Sequence, residues 1–165
     1  MPAPGGILAL DLSSVVGFAY GGPGDNAPTC GTWRLASGGL GPLIASFENE
    51  LEDALILHAP SLVFVEAPMP PTALSHAQTW RQQLGLAASA EAAAWRHSVR
   101  YREQSATTVR SQILGTTRHP PGGTIKDLVM AWCHKQGWNP VDHNAGDACV
   151  LWEFARREQQ KARAA

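Results

Sequence analysis

Twice in this chain, a short and entirely apolar run ends in a carboxylate. Residues 6–10 are followed by Asp11, and residues 62–65 are followed by Glu66. An uninterrupted apolar run of this length is typical of a strand buried on both faces of an α/β sheet. Acids at the ends of two such strands lie far apart in the sequence but can converge on one point of the fold. This repeated pattern is the first indication of a functional site.

A third acid lies in the last predicted helix, which opens within residues 142–147. In that helix Asp147 shares one face with Val150, Leu151 and Phe154, because these stand three, four and seven residues after it. Asp147 is therefore expected on the core-facing side of the first turns. The three acids together are the oxygen donors that a hard divalent cation such as Mg²⁺ or Mn²⁺ prefers.

Each acid also has an ordinary structural explanation. An Asp after a strand often forms a turn, and a Glu at a strand end is often solvated. Asp142 and Asp147 could cap a helix or interact with its dipole. The explanations are independent of one another, whereas a metal site explains all the acids together, so the shared function is favoured.

The remaining pattern predicts a mixed α/β chain with one central sheet. Residues 6–10 and 15–20 form a predicted antiparallel hairpin, because a tight turn separates the two runs. Further strands are predicted over 31–35, 62–66 and 99–102, and helices over 40–58, 75–97, 107–114 and 125–135.

The alanine-rich helix predicted over 75–97 carries one stripe of larger side chains. We expect the two tryptophans of this stripe to be core or dimer anchors rather than platforms for base stacking, and its small residues to allow another element to approach closely. The stripe consists of Trp80, Leu84, Ala88, Ala92 and Trp95.

With 165 residues, of which 44% are hydrophobic and 16% charged, the chain has the composition of one soluble domain. We predict a single domain over residues 1–155 and a polar tail over 156–165 that frays. The longest stretch without a charged residue, 67–80, is interrupted by prolines and too short to span a membrane. No signal sequence is evident, and the expected location is the cytoplasm.

Three cysteines are present, an odd number, and no two of them form a CxxC pair. This argues against a disulfide framework and a thiolate zinc site. Cys30, Cys133 and Cys149 are therefore interpreted as reduced thiols.

The net charge of −1 conceals a basic middle segment. Residues 1–80 hold one basic side chain against seven acidic ones, whereas residues 81–135 hold eight basic against three acidic. Such an asymmetry is typical of a surface that binds a polyanion, although a solvated helix face would also explain it.

At these residues the sequence resembles the RuvC-type Holliday junction resolvases of the ribonuclease H-like superfamily. The segment ILALDLSS at 7–14 resembles the family's first strand, and LVFVE at 62–66 its fourth. The segment DHNAGDA at 142–148 resembles the start of its last helix. The resemblance implies a ribonuclease H-like α/β fold with a central mixed five-stranded sheet, three antiparallel strands followed by parallel ones, flanked by helices.

The resemblance also implies a function and its residues. Asp11, Glu66 and Asp147 would be ligands of Mg²⁺ or Mn²⁺, with two ions in the family pattern, and Lys126 would act near the scissile phosphate. The chain would be a homodimeric endonuclease that resolves four-way junctions or related branched DNA. The candidates for contacts with DNA are Arg81, Arg110, Arg118 and Lys126.

The chain departs from the family pattern at two places. Leu12 and Ser13 follow the first Asp, where the family commonly has Pro-Gly. Asn144 stands three residues before the last Asp, where the family usually has Asp or His. An amide oxygen can still bind a metal ion but brings no charge, so both Asn144 and the adjacent His143 are candidate ligands. Phage-type relatives vary in this motif, which favours a phage or prophage enzyme.

Two other interpretations remain open. Asn144 could mark a catalytically weakened protein that binds branched DNA without cutting it. Alternatively, the segment DLSS with Gly17 resembles the first phosphate motif of actin-like ATPases and sugar kinases, although those folds need two such domains and this chain has the length of one.

Overall fold

The computed structural model describes residues 5–69 and 77–165. Its strands, in chain order, are β1 (Ile7–Asp11), β2 (Val15–Gly21), β3 (Thr29–Arg34), β4 (Leu62–Glu66) and β5 (Arg100–Gln104). Its helices are α1 (Leu40–His58), α2 (Ala77–Arg96), α3 (Ala106–Leu114), α4 (Ile125–Lys135) and α5 (His143–Ala164). Among the described residues, no helix combines the length and the apolar character that a membrane crossing requires.

All five strands belong to one sheet in the order β3-β2-β1-β4-β5. β1, β2 and β3 pair in antiparallel fashion, whereas β1 pairs with β4, and β4 with β5, in parallel. The predicted mixed five-stranded sheet is therefore confirmed. β1 and β4 are neighbours at its centre, with Leu10 opposite Val65.

Both faces of the central strands are covered. Ile7 and Ala9 pack against α3, α4 and α5 on one side, while Leu8 and Leu10 pack against α1 and α2 on the other. Residues 7–10 of β1 are consequently 0% exposed. This explains the continuous apolar run, because a strand between two helical layers has no solvated face on which a polar side chain could lie.

The start of α5 lies directly against the backbone of β2. A Cβ atom built on Gly17 would stand 1.9 Å from the Asn144 carbonyl oxygen, and one on Gly21 would stand 2.8 Å from the Trp152 ring. A larger residue at either position would collide with α5, so both positions require glycine. The two glycines let α5 pack closely on β2, and this packing places Asp147 near the ends of β1 and β4.

A Gly17→Ala variant is expected to lose about 3 kcal/mol or more of unfolding free energy, because the new methyl group collides with helix backbone that cannot rotate away. Urea denaturation measures the loss. Gly41→Ala is the matched control, since nothing lies within 4 Å of a Cβ at Gly41. An equal effect of the two substitutions would show that α5 does not rest on β2 as described.

The alanine-rich helix does not place Trp95 in the core, and the alternative role of a dimer anchor stays a prediction. Its buried residues are Leu86, Ala87, Ala90, Ala93 and Ala94. The predicted stripe instead faces outward, with Trp95 81% and Leu84 39% exposed. Small side chains on the inner face allow α2 to approach its neighbours closely, as at Gly85, where a Cβ would lie 3.2 Å from Ile44. The large side chains are left outside.

The predicted polar tail over 156–165 belongs to α5, which continues through Ala164. Glu153, which is 4% exposed, accepts hydrogen bonds from both Arg156 and Arg157. The amide nitrogen of Gln160 donates to the Pro23 carbonyl at 3.0 Å. Contacts that the sequence pattern does not reveal thus hold these polar residues in the helix.

Candidate active site

Three carboxylates meet at one edge of the sheet. Asp11 is the last residue of β1 and Glu66 the last of β4, and the parallel register with Leu10 opposite Val65 places the two acids side by side. Asp147 approaches them from the second turn of α5, and its negative charge acts on the ionisation of both. The structure thus brings together the three acids that the sequence indicates.

The surroundings favour the protonated forms of these acids. Burial, followed by repulsion from Asp147 and Glu66, raises the pKa of Asp11 to about 8. Burial also raises the pKa of Glu66, with a further contribution from the charge of Asp147. The pKa of Asp147 is raised by burial as well. Ionising all three acids in this position costs free energy unless a positive charge lies among them.

Two basic side chains partly offset this repulsion. Arg110, on α3, places its Nη2 atom 3.9 Å from Oδ1 of Asp147. Its charge lowers the pKa of all three acids, and the charge of Lys126 lowers that of Asp11 and Asp147. Lys126 is positioned by the start of α4, where Thr124 caps the helix. Arg110 and Lys126, two of the four predicted DNA contacts, therefore lie beside the acids.

The other two predicted DNA contacts lie elsewhere. Arg81 is exposed on α2 and lines a separate groove with residues 36–40. Arg118 is exposed in the segment between α3 and α4. Neither is among the charges that shift the pKa values of the three acids. Their contact with DNA stays a prediction.

Three neighbouring residues at the start of α5 have different surroundings. Asp142 is the N-cap, and its Oδ1 accepts a hydrogen bond from the Ala145 amide at 2.9 Å. His143, the exposed first residue of the helix, is close enough that its charge lowers the pKa of Asp147. Asn144 is partly buried and lies one turn before Asp147. The ligand roles of His143 and Asn144 stay predictions.

Helix α2 contributes one group that sequence reasoning missed. A small cavity is lined by Asp11 and Glu66 at the sheet edge and by Gln83 of α2. Leu12, Pro68 and Met69 line the rest of it. The only available signal was the polar pair Gln82-Gln83, which does not stand out because α2 also carries Gln78, Arg81 and Glu91. That pair becomes informative only when the direction of the helix is known.

The chemistry of the donors fits a hard divalent cation. Three buried carboxylates repel one another, and a dication among them would remove the cost of their ionisation. Asp11, Glu66 and Asp147 are the residues that would hold it. Within residues 5–69 and 77–165, no three His, Cys, Asp or Glu side chains stand in positions from which they could already share one ion.

The arrangement was compared with those of known proteins. No protein-family model matches the chain, and no curated protein matches its sequence. Solved structures do match it. The RuvC of T. thermophilus in complex with a Holliday junction substrate superposes with a TM-score of 0.71 at 11% identity, covering 94% of this chain and 96% of the other. The chain has a RuvC-type resolvase fold.

Two further solved structures agree with this assignment. A second Thermus thermophilus RuvC structure gives a TM-score of 0.66 at 14% identity and covers 94% of this chain and 96% of that one. The yeast mitochondrial Holliday junction resolvase Ydc2 gives 0.67 at 10% identity and covers 99% of this chain and 82% of that one. The predicted ribonuclease H-like fold of RuvC type is thus confirmed over nearly the whole chain.

Proposed function

We propose that this chain is a Mg²⁺- or Mn²⁺-dependent endonuclease that cuts branched DNA, with the four-way Holliday junction as its substrate. The observation that carries the proposal is the cluster of Asp11, Glu66 and Asp147 beside Arg110 and Lys126, at one sheet edge of a RuvC-type fold. It is supported by the solved relative that was captured in complex with a Holliday junction.

Each group of residues has a distinct task in this proposal. The bound cations, two by the family resemblance, would supply charge neutralisation and a nucleophilic water for in-line attack on a phosphodiester. Asp11, Glu66 and Asp147 hold the cations and fix where a phosphate can sit. Arg110 and Lys126 bind the phosphate oxygens and orient the strand, since catalysis of this kind consists mainly of positioning and electrostatic stabilisation. The products carry 5′-phosphate and 3′-hydroxyl ends.

A panel of DNA substrates tests the proposal. Purified protein is incubated with a four-way junction, a flap, a fork and a linear duplex of the same sequence, each with Mg²⁺, Mn²⁺ or a chelator. We expect the junction to be cut and the linear duplex to be spared, and we expect no cutting with the chelator. Equal cutting of all four substrates would contradict structure selectivity, and cutting in the chelator would contradict metal dependence.

One observation favours a second candidate, a branched-DNA-binding protein with weakened catalysis. The position one turn before Asp147 holds the neutral Asn144, whose amide would bind a dication less tightly than a carboxylate. The same substrate panel separates the candidates, because this one predicts tight, junction-selective binding with no cut product at any concentration of Mg²⁺ or Mn²⁺.

Reversing the charge of Lys126 is expected to weaken junction binding by at least tenfold and to flatten its dependence on salt. Each lost phosphate contact reduces the slope of log K against log[salt] by roughly one. Fluorescence anisotropy over a salt series measures this. Lys135→Glu, with the same change near the other end of α4, is the control. Equal slopes for the Lys126→Glu protein and the wild type would mean that Lys126 does not contact the DNA phosphates.

We also propose that the chain is a homodimer and that its two copies meet through α2. The α2 outer stripe, defined as Trp80, Leu84, Ala88, Ala92 and Trp95, includes an 81% exposed tryptophan beside a shallow groove. An exposed aromatic side chain among small residues is typical of an interface anchor. Trp95 lies near the end of α2, twelve residues after Gln83, which lines the cavity beside the acids.

The variant Trp95→Glu is expected to convert a dimer into a monomer, because it places a charge in the apolar stripe through which the two copies meet. Light scattering coupled to gel filtration measures the mass. The matched control is Leu57→Glu, since Leu57 is 70% exposed on α1. A wild-type protein that is monomeric, or a Trp95→Glu protein that is still dimeric, would contradict this interface.

A further inference from the structure

A polar side chain continues the buried stripe of α2. The buried residues of this helix are all apolar, namely Leu86, Ala87, Ala90, Ala93 and Ala94. Gln83 stands three residues before Leu86 and four before Ala87, so it lies on the same helix face, one turn nearer the start of the helix. Gln83 is itself partly buried. The inward face of α2 therefore carries a glutamine where the spacing alone would predict another apolar residue.

The cavity that Gln83 shares with Asp11 and Glu66 explains why a polar group stands there. The two carboxylates, when ionised, only accept hydrogen bonds, whereas the glutamine amide carries two N–H donors. The other described residues that line the cavity have apolar side chains, namely Leu12, Ala67, Pro68 and Met69. Among the described residues of this cavity, Gln83 is thus the side chain that can donate a hydrogen bond to the acids.

A carboxylate that holds a cation needs such donors. It has lone pairs on both oxygens, and those that do not point at the cation are normally satisfied by neighbouring groups, which fix its orientation. Asp147 has the guanidinium of Arg110 beside it, with 3.9 Å between Nη2 and Oδ1. On the side of the cavity, Asp11 and Glu66 have Gln83.

A neutral amide suits this position better than a charged group. A lysine or arginine would repel a divalent cation, and a further acid would add to the repulsion among the three carboxylates. Glutamine supplies donors without either cost.

We propose that Gln83 is a positioning residue of the acid cluster, whose amide donates hydrogen bonds to the carboxylates of Asp11 and Glu66 and keeps them oriented to hold the divalent cation. This inference rests on the proposed function, because it takes cation binding as the task of the acids.

The adjacent Gln82 provides a matched control. Consecutive helix residues point about 100° apart. Gln82 accordingly lines a different groove, together with Gln78 and Arg81 of α2 and with residues 36–40. The same substitution at two neighbouring glutamines therefore changes the acid cavity in one variant and the outer groove in the other.

Binding of Mn²⁺ without DNA tests the proposal independently of cleavage. Free Mn²⁺ is measured by electron paramagnetic resonance during titration of the wild-type, Gln83→Met, Gln82→Met and Asp11→Asn proteins at one pH. Methionine is as long as glutamine but has no N–H donor. We expect Gln83→Met to raise the Kd for Mn²⁺ by about tenfold or more, as is usual when a hydrogen-bond partner of a metal ligand is removed, and Gln82→Met to leave it unchanged.

The metal requirement of junction cleavage distinguishes positioning from packing. The Gln83→Met protein is expected to need about tenfold more Mn²⁺ for half of its maximal rate, and to regain most of the wild-type rate at saturating Mn²⁺, because the ligands themselves are retained. Its melting temperature in EDTA is expected to be no lower than that of the wild type, since methionine extends the apolar stripe of α2. Gln83→Leu, a second variant without a donor, is expected to behave in the same way.

The outcomes separate this inference from the proposed function. If both Gln83 variants bind Mn²⁺ like the wild type while Asp11→Asn loses binding, Gln83 is not a positioning residue and the proposed function stands. Equal weakening in the Gln82→Met and Gln83→Met proteins, or a lower melting temperature of both Gln83 variants, would likewise overturn the inference. A wild-type protein that binds no Mn²⁺, or an Asp11→Asn protein with wild-type affinity, would overturn the metal-dependent function as well.

Discussion

Replacing Asp11 with Asn or Glu66 with Gln is expected to lower the rate of junction cleavage by on the order of 10³-fold or more, because each change removes a charged ligand from the reacting phosphate's site. Junction binding is expected to stay within a few fold of the wild type, since Arg110 and Lys126 are retained. Cleavage on a denaturing gel and binding by anisotropy are measured on the same preparations.

Two exposed acids on α1 provide matched controls for these variants. Asp53→Asn and Glu50→Gln make the same chemical changes on a helix that covers the opposite sheet face. Both are expected to cut at the wild-type rate. If an Asp11→Asn or Glu66→Gln protein cut within a few fold of the wild type, these acids would not form the metal site.

In metal-free buffer, the unfolding free energy is expected to decrease as the pH rises from about 4 to about 8. The pKa of Asp11 is raised by burial and by the neighbouring acids from its ordinary 3.8 to about 8. Between these values the folded state keeps a proton that the unfolded chain has lost. Stability contributed by that proton is present at low pH and is lost as the pH rises through this range.

The Asp11→Asn variant isolates this effect from all other titrations. At pH 8 it is expected to be more stable than the wild type by about 2–4 kcal/mol, and at pH 4 nearly equal to it, because Asn carries no charge to bury. Urea denaturation at both pH values in EDTA measures the difference. Asp53→Asn should show no such difference. A variant that is less stable than the wild type at pH 8 would mean that Asp11 is ionised at little cost.

The positions of the three acids could be predicted from the sequence because they depend on short, strong patterns. A fully apolar run predicts a buried strand, and parallel neighbours place Asp11 and Glu66 at one edge. Asp147 follows from the helical spacing of its apolar partners. A capping role of Asp142 is one of the alternatives that the sequence leaves open, and the structure confirms it.

Features that depend on the direction and register of elements could not be predicted. Both faces of α2 carry apolar residues, so the pattern alone could not indicate that the alanines point inward and Trp95 outward. Gln83 was missed for the same reason.

Mapping the cut strands of a four-way junction tests the central claim most directly. Four junctions, each labelled on a different strand, are incubated with the wild-type protein in Mg²⁺ and resolved on denaturing gels. We expect paired nicks on two opposed strands, with ends that DNA ligase reseals, and no product from the Asp11→Asn protein. Junction that stays bound and uncut at every Mg²⁺ and Mn²⁺ concentration would contradict the claim.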